Sequence, residues 1–157
     1  MVTDPWALGA VDRFLAEGWA VAGIPGFPQD AAPQTLLRRV YFVLTGLQPT
    51  VAEQQDFVQR YAQAPEQVLQ ETVDRLMAAP QFGERWGRHW LDVVRYADTA
   101  GENTDRPLPH AWRFRNWVMQ SLNRDLPFDH FTRMQLAGDL LAESHGQTKA
   151  EIGRAHV

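Results

Sequence analysis

The stretch FGERWGRHWLDVVRYA, residues 82–97, decides the fold. Its apolar side chains recur every three or four positions, which is the spacing of one helix face. That face holds Phe82, Trp86, Trp90, Val93, Val94 and Ala97, and the polar face holds Arg85, Arg88, His89, Asp92 and Arg95. The pattern predicts a long amphipathic helix with its aromatic side in the core.

Similar helical patterns lie on both sides of this stretch. They cover residues 6–21, 33–45, 50–61, 65–79, 110–123 and 128–141. Thr50 and Glu53 form a capping box, in which the hydroxyl and the carboxylate each accept a hydrogen bond from an unpaired backbone amide. No segment shows sustained alternation of apolar and polar residues. We therefore predict an all-α fold, a compact bundle of about six to seven helices without a substantial sheet.

Two of these patterns also predict which side chains are buried. In the 33–45 helix the apolar stripe is Leu36, Val40 and Leu44, flanked by Leu37 and Tyr41, and Gly46 is expected to end the helix. In the 6–21 helix one face holds Trp6, Val11, Phe14, Leu15 and Trp19. Both stripes are expected to face the core.

Composition excludes several classes of protein. The chain has 157 residues, with 15 basic and 19 acidic side chains and a formal net charge of −4. Its content of 45% hydrophobic and 22% charged residues excludes a wholly disordered chain. No apolar run approaches the ~20 residues that span a membrane. Because there is no cysteine, disulfides, thiolate catalysis, Cys-ligated zinc and haem attachment through C-x-x-C-H are excluded from this segment.

The first candidate for chemistry is the polar face of the 82–97 helix. Arg88, Asp92 and Arg95 are spaced to form ion pairs along one face. His89 lies three residues before Asp92, and a histidine oriented by a carboxylate is typical of a general base or a metal ligand. The alternative is a structural ladder of ion pairs, which the missing H-E-x-x-H spacing favours.

The second candidate is the loop that follows this helix. Asp98, Glu102 and Asp105 bring several oxygen ligands close to a glycine, as a site for a hard cation such as calcium would require. The residue order of an EF-hand is missing. The alternative is a solvated loop, or one paired with neighbouring arginines. The combined candidate polar site is His89, Asp92, Arg95, Asp98, Glu102, Asp105 and Arg106, with Arg113 and Arg115 as further partners; no catalytic residue and no metal-ligand set is assigned.

Arginines and tryptophans alternate in two places, at residues 85–90 and 112–117. Basic residues between aromatic ones can bind single-stranded nucleic acid. Here the aromatic residues follow helical spacing, which favours core packing with arginines stacked at its rim. The net negative charge also speaks against a nucleic-acid partner.

Taken together, these motifs resemble a known family. The resemblance rests on Asp12-Arg13-Phe14, on Leu44-Thr45-Gly46-Leu47-Gln48-Pro49-Thr50, on the central run Phe82 to Asp98, and on residues 112–118, 125–129 and 135–141. The family is the domain of unknown function fifteen-forty-nine, of the PSCyt type, found after a cytochrome-c domain in large planctomycete and related bacterial proteins. Val43 and Gln48 depart from its usual Asp and Pro. The family offers no functional residues to carry over.

The resemblance implies which domains lie beside this one and where the protein is located, but it implies no activity. Relatives are exported multi-domain proteins with a haem domain before this one and another uncharacterised domain after it, often near sulfatase-like and polysaccharide-degrading genes. It thus implies an extracytoplasmic chain whose partners are neighbouring domains of the same polypeptide, with haem only in a neighbouring domain. In this segment we expect no cofactor, no small-molecule ligand, no nucleic acid and no membrane span.

The C-terminal residues EIGRAHV, 151–157, resemble the in-frame translation of a sequencing-library adapter. We therefore expect residues 1–150 to form a single helical domain of a larger protein, followed by a non-native tail.

Two hypotheses of function result. The first is a structural or interaction module, and it expects Leu136, Leu140 and Leu141 on a partly uncovered apolar face. The second is part of a metal-dependent or polysaccharide-acting enzyme with its site in the 89–106 region, and it requires the candidate side chains to converge.

Overall fold

The protein is described by a computed structural model that covers residues 9–24, 30–101, 103 and 105–145. Within these residues it forms seven helices: α1 (Ala10–Val21), α2 (Pro33–Leu44), α3 (Val51–Tyr61), α4 (Pro65–Met77), α5 (Pro80–Val93), α6 (Trp112–Asn123) and α7 (Phe128–His145). The described part of the chain contains no strand, and one isolated antiparallel bridge joins Thr99 to Pro107. The predicted all-α fold is confirmed. No described helix has the length and apolar character needed to cross a membrane.

The chain divides into two units, residues 1–32 and 33–157. The prediction of one domain over residues 1–150 with a non-native tail stays a prediction, and the tail lies outside the described residues.

The first unit contains α1. Gly9 precedes it, and the Gly9 amide donates a hydrogen bond of 2.9 Å to the carboxylate of Asp12. Ala16 is its buried residue, whereas Val11 and Phe14 are exposed. The prediction that Val11, Phe14 and Leu15 lie on the buried face was therefore wrong; Trp6 lies outside the described residues.

The second unit begins with α2, α3 and α4, which share one hydrophobic core. Its members are Leu37, Tyr41, Phe57, Val68 and Leu76. The buried residues of α2 are Leu37 and Tyr41, which flank the predicted stripe, while Val40 and Leu44 pack at the edge. Gly46 ends the helix as predicted, with a φ of +72° that favours glycine.

The α3 helix begins with the predicted capping box. The Glu53 amide donates to the Thr50 hydroxyl at 3.3 Å, and the Thr50 amide donates to the Glu53 carboxylate at 2.8 Å. Because these bonds satisfy backbone donors at the helix start, the box fixes where α3 begins.

The helices α5 and α6 are in close contact through glycine. Gly83 and Gly87 are buried one turn apart on α5, and a Cβ added to Gly83 would lie 2.3 Å from the carbonyl oxygen of Met119 on α6. The Asn123 side chain ties the same crossing: its Oδ1 accepts from the Gly83 amide at 2.7 Å, and its Nδ2 donates to the Pro80 carbonyl at 3.1 Å. The two helices therefore meet backbone to backbone at this point.

This arrangement corrects the predicted orientation of the 82–97 helix. The buried positions of α5 are Gly83, Gly87 and Leu91, whereas Val93 is 72% exposed and Trp86 is 40% exposed. Aromatic burial occurs along the edge of the interface, where Trp90 and Trp117 pack against a second core of Leu91, Phe114, Val118 and Phe131.

The last helix, α7, docks through its first two turns. Phe131 is buried, with its ring centroid 5.0 Å from that of Trp90. The Trp90 indole N–H donates to Gln135 Oε1 at 3.0 Å. The helical conformation is interrupted at Ala137, where φ is −137° and ψ is 28°. The side-chain contacts named here lie in the first two turns of α7, and Gly138, beyond the break, is also buried.

Candidate functional site

The connector between α5 and α6 is a short closed loop. Asp98 and Pro109 bound it in sequence, and the Thr99–Pro107 bridge holds its two arms together. The Ala100 amide donates to the Arg106 carbonyl at 3.0 Å, and the Leu108 amide donates to the Asp98 carbonyl at 2.8 Å. These hydrogen bonds join residues 98–100 to residues 106–108. The part of the connector next to α6 is therefore held in place, and it is called the base of the connector below.

Asp98 anchors this base to α6. Its carboxylate accepts a hydrogen bond of 2.9 Å from Arg115 Nη1 and a second hydrogen bond from the Tyr96 hydroxyl. Burial, together with the adjacent Asp98 carboxylate, raises the pKa of Tyr96 to about 12, because both disfavour the phenolate. The Asp98–Arg115 pair agrees with the alternative of an arginine-paired loop.

Among the described residues, the Asp98 carboxylate pairs with Tyr96 and Arg115 and forms no ion pair with the other candidates. His89 contacts Trp86 edge to face, with ring centroids 5.6 Å apart. No ion pair connects Asp92 to Arg88 or to Arg95 in the described part of the chain, although their spacing allows it. The predicted ladder of ion pairs on α5 therefore does not form.

One further candidate carboxylate in the connector, Asp105, is described by the structure. Asp105 is exposed and has a positive φ of 41°, and Arg106 is exposed beside it. Glu102 lies outside the described residues. Among the residues that are described, no group of three or more His, Asp or Glu side chains is arranged to hold a metal ion. A catalytic or cation site in the 89–106 region stays a prediction.

Two of the four tryptophans in the arginine–tryptophan stretches pack at the second core. Trp90 and Trp117 lie against its buried residues, whereas Trp86 is 40% exposed and Trp112 is 46% exposed. The Arg113 guanidinium carbon lies 5.7 Å from the ring centroid of Trp112, so this arginine stacks on an exposed ring. The predicted core packing is therefore seen for Trp90 and Trp117 only.

A polar cluster that the sequence does not predict lies between α2, α3 and α4. The Tyr41 hydroxyl donates to Glu53 Oε1 at 2.6 Å, and Arg75 Nη2 donates to the Tyr41 oxygen at 2.9 Å. Arg75 Nη1 also lies 3.2 Å from Glu53. The hydrogen bond from Tyr41 is the largest cause that lowers the pKa of Glu53, to about 2. The capping box signalled Glu53, but no local pattern signals Tyr41 or Arg75, which are distant in sequence.

A groove of about 500 Å³ runs between α3 and α4 beside this cluster. Its lining residues are Leu37, Ala52, Glu53, Asp56, Phe57, Arg60, Val68, Glu71, Thr72 and Arg75. Arg60 closes one end, where it pairs with Glu71 across the two helices, and Arg75 closes the other end through Glu53. The groove has a hydrophobic floor between two interhelical ion pairs.

The distal part of α7 carries exposed leucines. Leu136 is 82% exposed and Leu140 is 66% exposed, on either side of the break at Ala137. Phe128, at the start of the helix, is also largely exposed. Leu136 and Leu140 therefore lie uncovered as expected, and the side chain of Leu141 lies outside the described residues.

Comparison with known protein families identifies a match. A family model described as PSCyt2, protein of unknown function (DUF1549), matches residues 10–155. No curated protein and no solved structure matches the chain.

Proposed function

We propose that this chain, which belongs to the PSCyt2 (DUF1549) family of proteins of unknown function, is a helical interaction module that packs against a neighbouring domain of a larger protein. The observation that carries the proposal is the pair of exposed leucines on α7, Leu136 and Leu140. Large apolar side chains that are exposed four positions apart can contribute to a protein–protein contact. The polar candidate Asp98, by contrast, is engaged in holding the connector.

Burial of the two leucines would contribute a substantial free energy to an interface. Complete burial of one leucine side chain contributes about 1.5–3 kcal/mol, so that two contribute about 3–6 kcal/mol to an interface. The first half of α7 is already held in position, because Phe131 and Gln135 contact the second core. A neighbouring domain that covers Leu136 and Leu140 would bury them without rearranging that core.

The context comes from the family resemblance. We propose a haem domain before this module, a second domain after it, and a location outside the cytoplasm for the whole polypeptide. The full-length gene tests this context: a C-x-x-C-H motif upstream and a further folded domain downstream are expected, and a gene without either would contradict it.

The docking itself can be tested by cysteine labelling. Because the chain contains no cysteine, Leu136→Cys provides a single reactive thiol. We expect a maleimide to label it rapidly in this chain alone, and about tenfold more slowly in a longer protein that includes the following domain.

The matched control is Gln120→Cys, on an exposed position of α6. It should be labelled at the same rate in both proteins, since docking on α7 leaves it uncovered. Equal labelling of Leu136→Cys in the short and the long protein would refute the proposed docking surface.

A further inference from the structure

The helix α2 exposes a row of basic and apolar side chains that is separate from the leucines of α7. Arg38 and Arg39 are exposed, and one turn later Val43 is 56% exposed beside the part-buried Phe42. Together with Thr35 these side chains line an open depression of about 320 Å³. Because residues three or four positions apart are neighbours on a helix surface, the four side chains share one side of α2.

Arg85 of α5 extends this row at the C-terminal end of α2. Gly46 lies one turn beyond Phe42, and its amide donates to the Phe42 carbonyl at 3.2 Å. A Cβ added to Gly46 would lie 3.1 Å from Arg85 Cδ, so the arginine crosses the helix end at this glycine. The surface is called the α2 strip, and its members are Arg38, Arg39, Phe42, Val43 and Arg85.

The three guanidinium groups of the α2 strip are not neutralised by the described part of the chain. None of them forms an ion pair there, and Arg38 instead lies over the Phe42 ring, 5.5 Å from its centroid. Residues 31–52 contain no aspartate or glutamate, although the whole chain has 19 acidic residues. The strip is therefore a local basic surface on an acidic protein.

The Arg85 side chain gives a second indication of an anionic partner. Its Nε is buried and has no hydrogen-bond partner among the described residues. A buried donor on a charged group is costly to leave without a partner, so each such atom in a native structure needs an explanation. Because Arg85 as a whole is part-exposed, a carboxylate can approach its guanidinium from solvent and form the bidentate pair that this group favours.

We propose that the α2 strip binds an acidic amphipathic helix, with apolar side chains against Phe42 and Val43 and carboxylates at Arg39 and Arg85. Arg39 and the glycine that Arg85 crosses are seven residues apart, which corresponds to about 10 Å or two helical turns. Carboxylates two turns apart on one side of the ligand helix match this spacing. The net charge of −4 disfavours nucleic acid or an anionic membrane, because either would also meet the acidic surface around the strip.

The probe is a synthetic helical peptide of about 18 residues, with leucines on one face and glutamates on the other. The control peptide has lysine at every glutamate position and is otherwise identical. We expect the glutamate peptide to bind saturably with a dissociation constant below about 1 mM, and more weakly as salt rises, when binding is measured by fluorescence anisotropy. The lysine peptide should bind at least about tenfold more weakly.

Substitutions of arginine test the charged contacts. Arg39→Gln should weaken binding of the glutamate peptide by about threefold. Arg85→Gln should weaken it by about tenfold, because it removes a charged hydrogen bond at the part-buried end of the strip. The matched control is Arg106→Gln, which removes an exposed guanidinium from the connector and should have no effect.

Substitutions of apolar residues locate the ligand. Val43→Asp places a carboxylate one turn from Arg39, where it competes with the ligand, and should weaken binding by about tenfold or more. Val93→Asp introduces the same side chain at an exposed position of α5 and should not. Leu136→Ser should also leave binding unchanged, which separates the α2 strip from the docking surface on α7.

Several results would overturn the proposal. Equal binding of the two peptides would mean that the strip does not select acidic ligands, and full binding by Val43→Asp would place the ligand elsewhere. Equal effects of Arg39→Gln and Arg106→Gln would show a diffuse attraction. Binding of phosphatidylserine vesicles or single-stranded DNA with the same loss in Arg39→Gln would identify a general anion surface. Far-UV circular dichroism checks that each variant is folded, and the exposed Arg39 still decides if Arg85→Gln unfolds.

Discussion

Replacing Gly83 with alanine should destabilise the protein strongly, although alanine is the better helix former. The added Cβ would lie 2.3 Å from the Met119 carbonyl oxygen and 2.6 Å from the Asn123 side chain. An ordinary contact is about 3.5 Å or more, so α5 and α6 would have to separate by about 1 Å. The Met119 carbonyl belongs to the α6 backbone and cannot turn away as a side chain would.

The magnitude follows from three contributions. Overpacking at a rigid contact costs about 1–3 kcal/mol. Weakening the hydrogen bond between the Gly83 amide and Asn123 costs about 1–3 kcal/mol. Alanine returns about 1 kcal/mol through its higher helix propensity. We therefore expect the free energy of unfolding to fall by about 1–5 kcal/mol, with a drop in melting temperature of about 3–15 °C.

The assay is urea unfolding followed by far-UV circular dichroism, with Gly87→Ala as the matched comparison. At Gly87 the added Cβ would lie 3.1 Å from Met119 Cγ, which is part of a flexible side chain. That variant should change the free energy of unfolding by less than about 1 kcal/mol. The reasoning would be refuted if Gly83→Ala lost less than 1 kcal/mol, or if both variants lost the same amount.

Three further outcomes are expected. The free energy of unfolding should fall by about 1–2 kcal/mol as the pH drops from about 5 to 2, because the pKa of Glu53 is about 2 in the folded protein against an ordinary value of 4.5. Solvent screening of this part-exposed carboxylate makes the loss smaller than the pKa difference alone would give. Glu53→Gln should remove that part of the pH dependence in urea titrations at each pH. Asp98→Asn should lower the pKa of Tyr96 from about 12 towards 10, measured by NMR titration of labelled tyrosine, and an unchanged pKa would contradict the assigned cause. Val118→Ala should cost about 2–3 kcal/mol because Val118 is fully buried, whereas Val93→Ala, on an exposed position, should cost less than about 0.5 kcal/mol in the same unfolding assay.

The sequence predicted the helices better than their orientation. Helical spacing and proline and glycine boundaries locate α2 to α7, and the Thr50–Glu53 capping box fixes one start to the residue. The buried face of α5 escaped prediction because it consists mainly of Gly83 and Gly87, which hydrophobic periodicity does not count. Where backbones touch, the smallest residues occupy the interface and the large apolar ones move to its edges.

The candidate site was predictable only where partners are close in sequence. Arg115 was among the arginines expected to pair with the 98–105 loop, and it pairs with Asp98. The Tyr41–Glu53–Arg75 cluster joins side chains from three helices, up to 34 positions apart. Its formation depends on how α2, α3 and α4 pack, which no short motif records. The α3–α4 groove was missed for the same reason.

The glycine contact between α5 and α6 has a mechanical consequence. Packed helices usually slide by small shifts of the side chains between them. At Gly83 there is no intervening layer, and Asn123 fastens the crossing from the other helix. We therefore expect α5 and α6 to move together as one rigid body, with the Thr99–Pro107 bridge in the connector between them. A force applied to the connector would tilt both helices together rather than one against the other.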